Sequence, residues 1–320
     1  MHSDREETMT EHTGRTYVVT GTDSGIGAAV ADRLERDGAR VIRCGVTEAA
    51  DVRADLTDPG ARAAAVDHIR ALAAAPAPAH PRARPSAPAP APEPAAIDGV
   101  ALVAGSADPA VAVGLNFFST VALLRALRDD LAHAAEPRAV VVSSASALSA
   151  GDQDLVEACL ADDEPRALAT AAGLVARGRG SVVYRSTKIA LNRWLRRAAV
   201  GPEWAGAGIP LNAVAPGVVA TGTARATLLA DAASVRVLQD ALPQPLGLPG
   251  PVEPVAASIA WLLSPDAGFT TGQVLFVDGG AEATLRGEAP FASGVRYGPV
   301  RLARMITWTL VGRWRSRRAA

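Results

Sequence analysis

From Thr16 onward, short Val-rich apolar runs alternate with amphipathic helical stretches, a rhythm that restricts the chain to one arrangement: a parallel sheet wrapped by helices on both faces. Strands are expected at 16–20, 40–44, 100–103, 139–143, 211–214 and 274–277. Each is bounded by Gly, Pro or Ser, and their unbroken apolar character suits strands buried on both sides. Helices are expected at 26–37, 121–134, 187–200 and 254–263. The fold class is therefore α/β, a doubly wound parallel sheet in a single domain spanning 15–282.

Two segments interrupt the alternation. Residues 74–97 hold eight prolines and no periodicity, which predicts an extended Ala/Pro-rich surface insertion. Residues 151–180 are acidic and rich in Ala and Leu, and predict two short helices around Pro165 that fold against the core. At the ends, 1–14 is polar and acid-rich and reads as a disordered tail. The basic extension 283–320 has eight Arg and one Glu, a charge of +7 against −8 for the rest of the chain. Placed on a helical wheel, 300–314 does not segregate cleanly, so the extension is expected to be solvated or to pack between subunits. Peripheral membrane contact through 296–320 is the alternative.

Charge and composition close several doors. A net charge of −1 argues against nucleic-acid binding. Two cysteines, Cys44 and Cys159, provide neither a disulfide framework nor a metal cluster, so no metal is expected. No apolar run of about 18 residues is seen, no membrane span is expected, and the N-terminus is unlike a secretory signal; the expected location is cytoplasmic.

The first strand runs into Gly21-Thr22-Asp23-Ser24-Gly25-Ile26-Gly27 and then a helix. Glycines at this point let the backbone turn tightly and approach a pyrophosphate, which then sits on the helix N-terminus, as in a Rossmann-type dinucleotide fold. An acidic residue about 20 positions on should hold the adenosine ribose of NAD. The second strand instead ends Arg43-Cys44-Gly45-Val46. Arg43 is a candidate for a 2′-phosphate, so NAD and NADP both stay open.

Of 32 cationic residues, 31 are Arg and one is Lys188, which lies four residues after Tyr184, one of three tyrosines. Random placement would put the lysine there about one time in a hundred. The i, i+4 spacing places both side chains on one helical face. A phenol is a poor base at neutral pH, and a neighbouring ammonium is expected to lower its pKa toward the working range. Ser143-Ser144-Ala145-Ser146 ends a strand, where a parallel sheet presents its ligand-facing edge. Asn116 sits in an apolar stretch and must find a hydrogen-bond partner there.

From Thr16 to about Gly280 the chain resembles the short-chain dehydrogenase/reductase family. The matching motifs are Thr20-Gly21-x-x-x-Gly25-Ile26-Gly27, Asp55-Leu56, Ala104-Gly105, Asn116, Ser144, Tyr184-x-x-x-Lys188, Pro216-Gly217 with Thr221, and Val277-Asp278-Gly279-Gly280. The long stretch between Ser144 and Tyr184, with Ala54-Asp55-Leu56-Thr57-Asp58-Pro59, is similar to the bacterial 3α-hydroxysteroid dehydrogenase/carbonyl reductase branch and its coniferyl-alcohol dehydrogenase relatives. The resemblance implies an NAD(P)-dependent oxidoreductase in which Tyr184 is the general acid/base. Lys188 would bind the nicotinamide ribose and depress the Tyr184 pKa, Ser144 would orient the substrate oxygen, and Asn116 would hold a relay water. It further implies cofactor contacts from Gly21, Ser24, Gly25, Ile26, Gly27, Asp55, Leu56, Ala104, Gly105, Pro216, Gly217 and Thr221, together with Tyr184 and Lys188. In this sequence the family's Asn-Asn-Ala-Gly reads Leu102-Val103-Ala104-Gly105, and the ribose-binding Asp of the NAD-dependent steroid branch aligns with Gly45.

The segment 218–250 is expected to cover the substrate as a lid. It is mostly Ala, Leu, Val, Gly and Pro with few charges (Arg225, Asp231, Arg236, Asp240), which favours a small apolar alcohol or ketone. The expected assembly is a homo-dimer or homo-tetramer. The competing expectations are a non-catalytic dinucleotide-binding regulator or scaffold, and a peripheral membrane-associated reductase.

Overall fold

The computed structural model describes residues 11–75, 97–227, 229 and 231–319. In chain order the elements are β1 (Thr16–Thr20), α1 (Gly25–Arg36), β2 (Arg40–Gly45), β3 (Val52–Arg53), α2 (Pro59–Ala74), β4 (Gly99–Leu102) and α3 (Pro109–Val113), continued by a π-helical turn (Gly114–Ser119) into α4 (Thr120–Ala132). Then come β5 (Arg138–Val142), α5 (Gln153–Leu160), α6 (Glu164–Ala176), α7 (Ser181–Ala198), β6 (Leu211–Pro216), α8 (Gly222–Thr227), α9 (Ala232–Ala241), α10 (Glu253–Leu263), β7 (Val274–Val277), α11 (Ala281–Arg286) and α12 (Pro299–Ala319).

All seven strands are parallel, in the order β3-β2-β1-β4-β5-β6-β7. The chain winds outward from β1 in one direction and from β4 in the other. The strand order therefore reverses between these two, and a crevice opens at their carboxyl ends. Apolar side chains fill both faces. One layer gathers Val18, Val100, Phe117, Leu124 and Leu191; the other gathers Val19, Val30, Leu34, Val140 and Ile259. This is the doubly wound α/β class expected.

Helix starts follow a local rule. Asp58 accepts from the Ala61 N–H ahead of Pro59, Asp108 from Ala110 ahead of Pro109, Asp152 from Leu155, and Asp163 from Arg166 beside Pro165. An aspartate cap satisfies the orphan amides of the first turn, and proline there loses no hydrogen bond. Helices α5 and α6 bury Leu155, Val156, Cys159, Ala171 and Leu174, so 151–180 folds onto the core as expected.

Several expectations change. Residues 11–14 form a turn rather than a disordered tail: His12 is buried with Nδ1 2.9 Å from Tyr17 Oη, and the Gly14 N–H donates to Gly38 O. The remainder of the tail (1–10) and most of the Ala/Pro-rich insertion (76–96) lie outside the described residues. Strand β3 was not expected; at two residues it is too short to carry a periodic signal. Helix α7 begins at Ser181 rather than 187, so Tyr184 and Lys188 both lie within it. The continuous helix Pro109–Ala132 is long and apolar enough by composition to cross a membrane, contrary to the expectation that no run would be. Two-thirds of its apolar window is buried inside the protein, where a helix apolar all round belongs in a core.

Two compact units are resolved, Met1–Leu285 and Arg286–Ala320. Within the second, α12 is a single 21-residue helix with Trp308, Leu310 and Ile306 exposed.

Candidate active site

The turn after β1 is shaped by what cannot fit. Gly21 has φ +73°, and a Cβ there would stand 2.9 Å from Ala104 Cα on the loop after β4. At Gly27 a Cβ would stand 2.1 Å from Gly21 O, so α1 presses directly on the turn. Thr20 ties the neighbouring strand in, its Oγ1 accepting from the N–H groups of Val103 and Ala104 at 3.0 and 3.1 Å. Ser24 holds the N-cap position of α1 in extended backbone without a side-chain cap, which leaves the first-turn amides available to an anion. Thr221, in the loop after β6, has its Cγ2 3.2 Å from where a Gly25 Cβ would be. Gly21, Ser24, Gly25, Ile26, Gly27, Ala104 and Thr221 thus share one crevice.

At the carboxyl end of β5 the second group assembles. Lys188 is 3% exposed, and its Nζ donates to Val142 O at 2.8 Å and lies 5.7 Å from the centre of the Tyr184 ring. The Ser144 hydroxyl stands close enough to the Tyr184 phenol to lower its pKa, and its oxygen accepts from the Ser146 N–H at 3.1 Å. A Cβ on Gly105 would stand 3.0 Å from Asn116 Oδ1 and 3.6 Å from Lys188 Nζ, so the bare glycine backbone passes close to both groups. The hydroxyls of Ser143 and Ser146 are buried and have no hydrogen-bond partner among the described residues. Buried polar atoms of that kind suit a polar ligand.

Asn116 is fully buried in the π-helical turn. Its Oδ1 accepts from Ser106 N–H at 2.9 Å, while Nδ2 donates to Ser106 O at 2.9 Å and to Thr187 Oγ1 at 3.2 Å. The extra residue in a π turn re-aims side chains, here joining the β4 loop to α7.

The electrostatics differ from expectation at Tyr184. Burial pushes the phenol pKa above its ordinary value, and the Ser144 hydrogen bond lowers it only in part. Lys188 does not reverse this, because burial brings its own pKa down to about 8. The ammonium is spent on the Val142 carbonyl rather than on the phenol.

Arg43 also departs from expectation. Its guanidinium is held by Asp32 at 2.5 Å and Glu35 at 2.7 Å on α1, away from the crevice. Residue 43 thus lies on the face covered by α1, its guanidinium already engaged by two carboxylates. Asp55 accepts from the N–H and hydroxyl of Thr57 at 2.9 and 2.7 Å, and Leu56 is buried beside α2; together they order the turn after β3.

Sequence reasoning missed Gln244. Its amide bridges the two ends of the segment 218–250: Oε1 accepts from Val218 N–H at 2.5 Å, and Nε2 donates to Gly247 O at 3.0 Å. It also fills the space above Gly217, where a Cβ would meet Oε1 at 2.5 Å. Pro216 closes β6 immediately before it. Only the fold brings positions 217 and 244 together.

The chain is 30% identical over 275 residues to the 3-alpha-hydroxysteroid dehydrogenase/carbonyl reductase of Comamonas testosteroni, covering 84% of this chain and 97% of that relative. It belongs to the short-chain dehydrogenase/reductase family. A second family member, the cis-4-hydroxycyclohexanecarboxylate dehydrogenase of Sinomonas cyclohexanicum, is 34% identical over 84% of this chain and 97% of its own length. The crystal structure of the 3-alpha-hydroxysteroid dehydrogenase from Pseudomonas sp. B-0831, complexed with NADH, superimposes with a TM-score of 0.72 at 35% identity. The match covers 85% of this chain and 99% of that one. The family model described as enoyl-(acyl carrier protein) reductase matches residues 167–282. This short-chain dehydrogenase/reductase is an NAD(P)-dependent oxidoreductase of the alcohol/carbonyl type. The glycine cradle, the uncapped start of α1 and the buried Lys188 fit a dinucleotide.

Proposed function

We propose that the protein interconverts a small apolar secondary or allylic alcohol and its carbonyl compound. NAD(H) is the preferred cofactor, and Tyr184 is the general acid/base. One observation carries this reading: the Tyr184 phenol faces the Ser144 hydroxyl at the end of β5, and the chain's sole lysine is buried with its Nζ 5.7 Å from the Tyr184 ring centre. Ser144 positions the substrate oxygen against the phenol. In reduction the phenol gives that oxygen its proton; in oxidation the phenolate receives it.

Gly21, Ser24, Gly25, Ile26 and Gly27 would hold the pyrophosphate, and Asp55 and Leu56 would flank the adenine. Ala104, Gly105, Pro216, Gly217, Thr221 and Lys188 would line the nicotinamide half. When bound, the cofactor supplies or takes the hydride. Asn116 serves as a positioning residue, since its side chain braces Ser106 and Thr187. The sparsely charged lid 218–250 supports an apolar substrate, and the names of the two curated relatives point to cyclic alcohols. The NADH of the Pseudomonas structure and the occupied guanidinium of Arg43 support NAD(H).

The test is the absorbance change at the wavelength of the reduced nicotinamide, with NADH or NADPH and a panel of cyclic and aromatic ketones. Turnover on apolar ketones is expected. Binding of nucleotide with no turnover by either form would make the protein a dinucleotide-binding regulator or scaffold instead.

The catalytic unit is proposed to span 15–282, in a reducing cytoplasm that suits its two buried free thiols. The exposed apolar residues of α12 support a role for the extension in packing a homo-dimer or homo-tetramer. Deleting 296–320 is expected to lower the mass measured by light scattering. Unchanged mass, with co-sedimentation on anionic vesicles lost in the same deletion, would assign the helix to a membrane surface.

A further inference from the structure

The strand β2 ends in Gly45, where a carboxylate would be needed to grip the adenosine ribose of NAD. Gly45 is not among the residues with positive φ, so backbone strain does not explain it. Space does. A Cβ on Gly45 would stand 2.4 Å from Asp23 Oδ2 and 2.6 Å from Asp23 Oδ1. The volume into which a side chain at 45 would grow is already filled by a carboxylate arriving from the phosphate-binding turn.

That carboxylate is fixed. Asp23 Oδ2 accepts from Val46 N–H at 2.9 Å, and Oδ1 accepts from Thr47 N–H at 3.1 Å and from the Thr47 hydroxyl at 2.5 Å. Partial burial pushes the Asp23 carboxyl pKa up, but the hydrogen bonds from Thr47 and Val46 outweigh it and hold the group below its ordinary value. It is ionised at neutral pH. Its outer side is exposed to solvent, and of about four lone-pair sites on a carboxylate three are taken, which leaves Oδ2 free to accept one further hydroxyl donor.

The other charges at this end of the sheet reinforce it. Asp51 accepts from the Arg43 N–H at 2.7 Å, and the Arg43 side chain is consumed by α1. Arg53, in register with Gly45, donates from Nε to Val46 O at 3.1 Å and lies 3.6 Å from Glu48. Arg53 thus lies beside a carboxylate of its own.

Resting on the reading of the crevice as an NAD(P) site, we propose that Asp23 replaces the missing β2 carboxylate: its Oδ2 accepts an adenosine ribose hydroxyl and its charge repels a 2′-phosphate. Cofactor choice has moved from the end of β2 to the phosphate-binding turn. Gly45 is the complement that makes room.

The test is calorimetric titration of the full-length chain with NAD⁺ and with NADP⁺, for the wild type, Asp23→Ala, and the exchange Asp23→Ala/Gly45→Asp. The amides of Val46 and Thr47 are solvent-exposed and rehydrate in the single variant, whose fold is verified by circular dichroism. The wild type is expected to favour NAD⁺ at least tenfold. In Asp23→Ala that ratio falls at least tenfold, with tighter NADP⁺ binding contributing. The exchange variant recovers a preference for NAD⁺, because its carboxylate re-enters from β2. An unchanged ratio in Asp23→Ala, or a wild type that prefers NADP⁺, overturns the assignment while leaving the enzyme reading intact. Failure of the wild type to bind either nucleotide overturns both.

Discussion

Tyr184→Phe lowers kcat for ketone reduction by roughly 10²–10⁴-fold, the range a positioned general acid supplies. The substitution keeps the ring and its packing in α7 and removes only the oxygen that Ser144 contacts. Ser144 keeps its bond from the Ser146 N–H, so the end of β5 does not collapse. Nucleotide affinity, read by the same titration as above, stays near the wild-type value. The pH profile of the wild type follows from the raised phenol pKa. With Tyr184 as the proposed acid/base, reduction uses the protonated phenol and is expected to be flat through neutral pH. Oxidation uses the phenolate, which is scarce at pH 7, so its rate climbs as pH rises. A Tyr184→Phe enzyme with wild-type turnover would remove the phenol from the mechanism.

Lys188→Arg is the second large effect, with turnover falling by at least about 10²-fold although the formal charge is kept. The slot at residue 188 is closed to solvent and built for one compact donor facing Val142 O. A planar guanidinium is too broad for it and cannot shed its charge there. Lys188→Met separates catalysis from stability. The buried lysine has a pKa of about 8 in the folded chain against 10.5 when unfolded, with burial as the cause. Below pH 8 both states are protonated and folding bears the full cost of burying an ammonium. Between the two values only the unfolded state holds the proton, so the wild type gains stability as pH rises. Lys188→Met is therefore expected to melt above the wild type at neutral pH. The orphaned Val142 carbonyl takes back about 1–3 kcal/mol. The difference should narrow as pH climbs past 8, while turnover is lost at every pH. Thermal melts across that range check it; a gap that widens with pH contradicts a buried, destabilising ammonium.

The parallel sheet was legible because each of its six longer strands carries a local signal: a Val-rich run closed by Gly, Pro or Ser. Tyr184 and Lys188 were legible because one turn of helix is itself a local relation. What stayed hidden depends on contacts between distant segments. Nothing near Asp23 in the chain says that its carboxylate meets Gly45, 22 residues on. Arg43 looked available until α1 brought Asp32 and Glu35 to it. The expected depression of the Tyr184 pKa rested on spacing alone, and spacing does not report burial. Gln244 gave no signal at all, since an isolated glutamine matters only once positions 218 and 247 are folded onto it.

With 31 of 32 cations arginine and the remaining amine sealed beneath Tyr184, the folded surface presents acylating and reductive-methylating reagents with no lysine side chain. Any adduct found on residue 188 by mass spectrometry therefore records an opening of the crevice around it. The rate at which that adduct accumulates becomes a clock for local unfolding of the site, with no engineered label required.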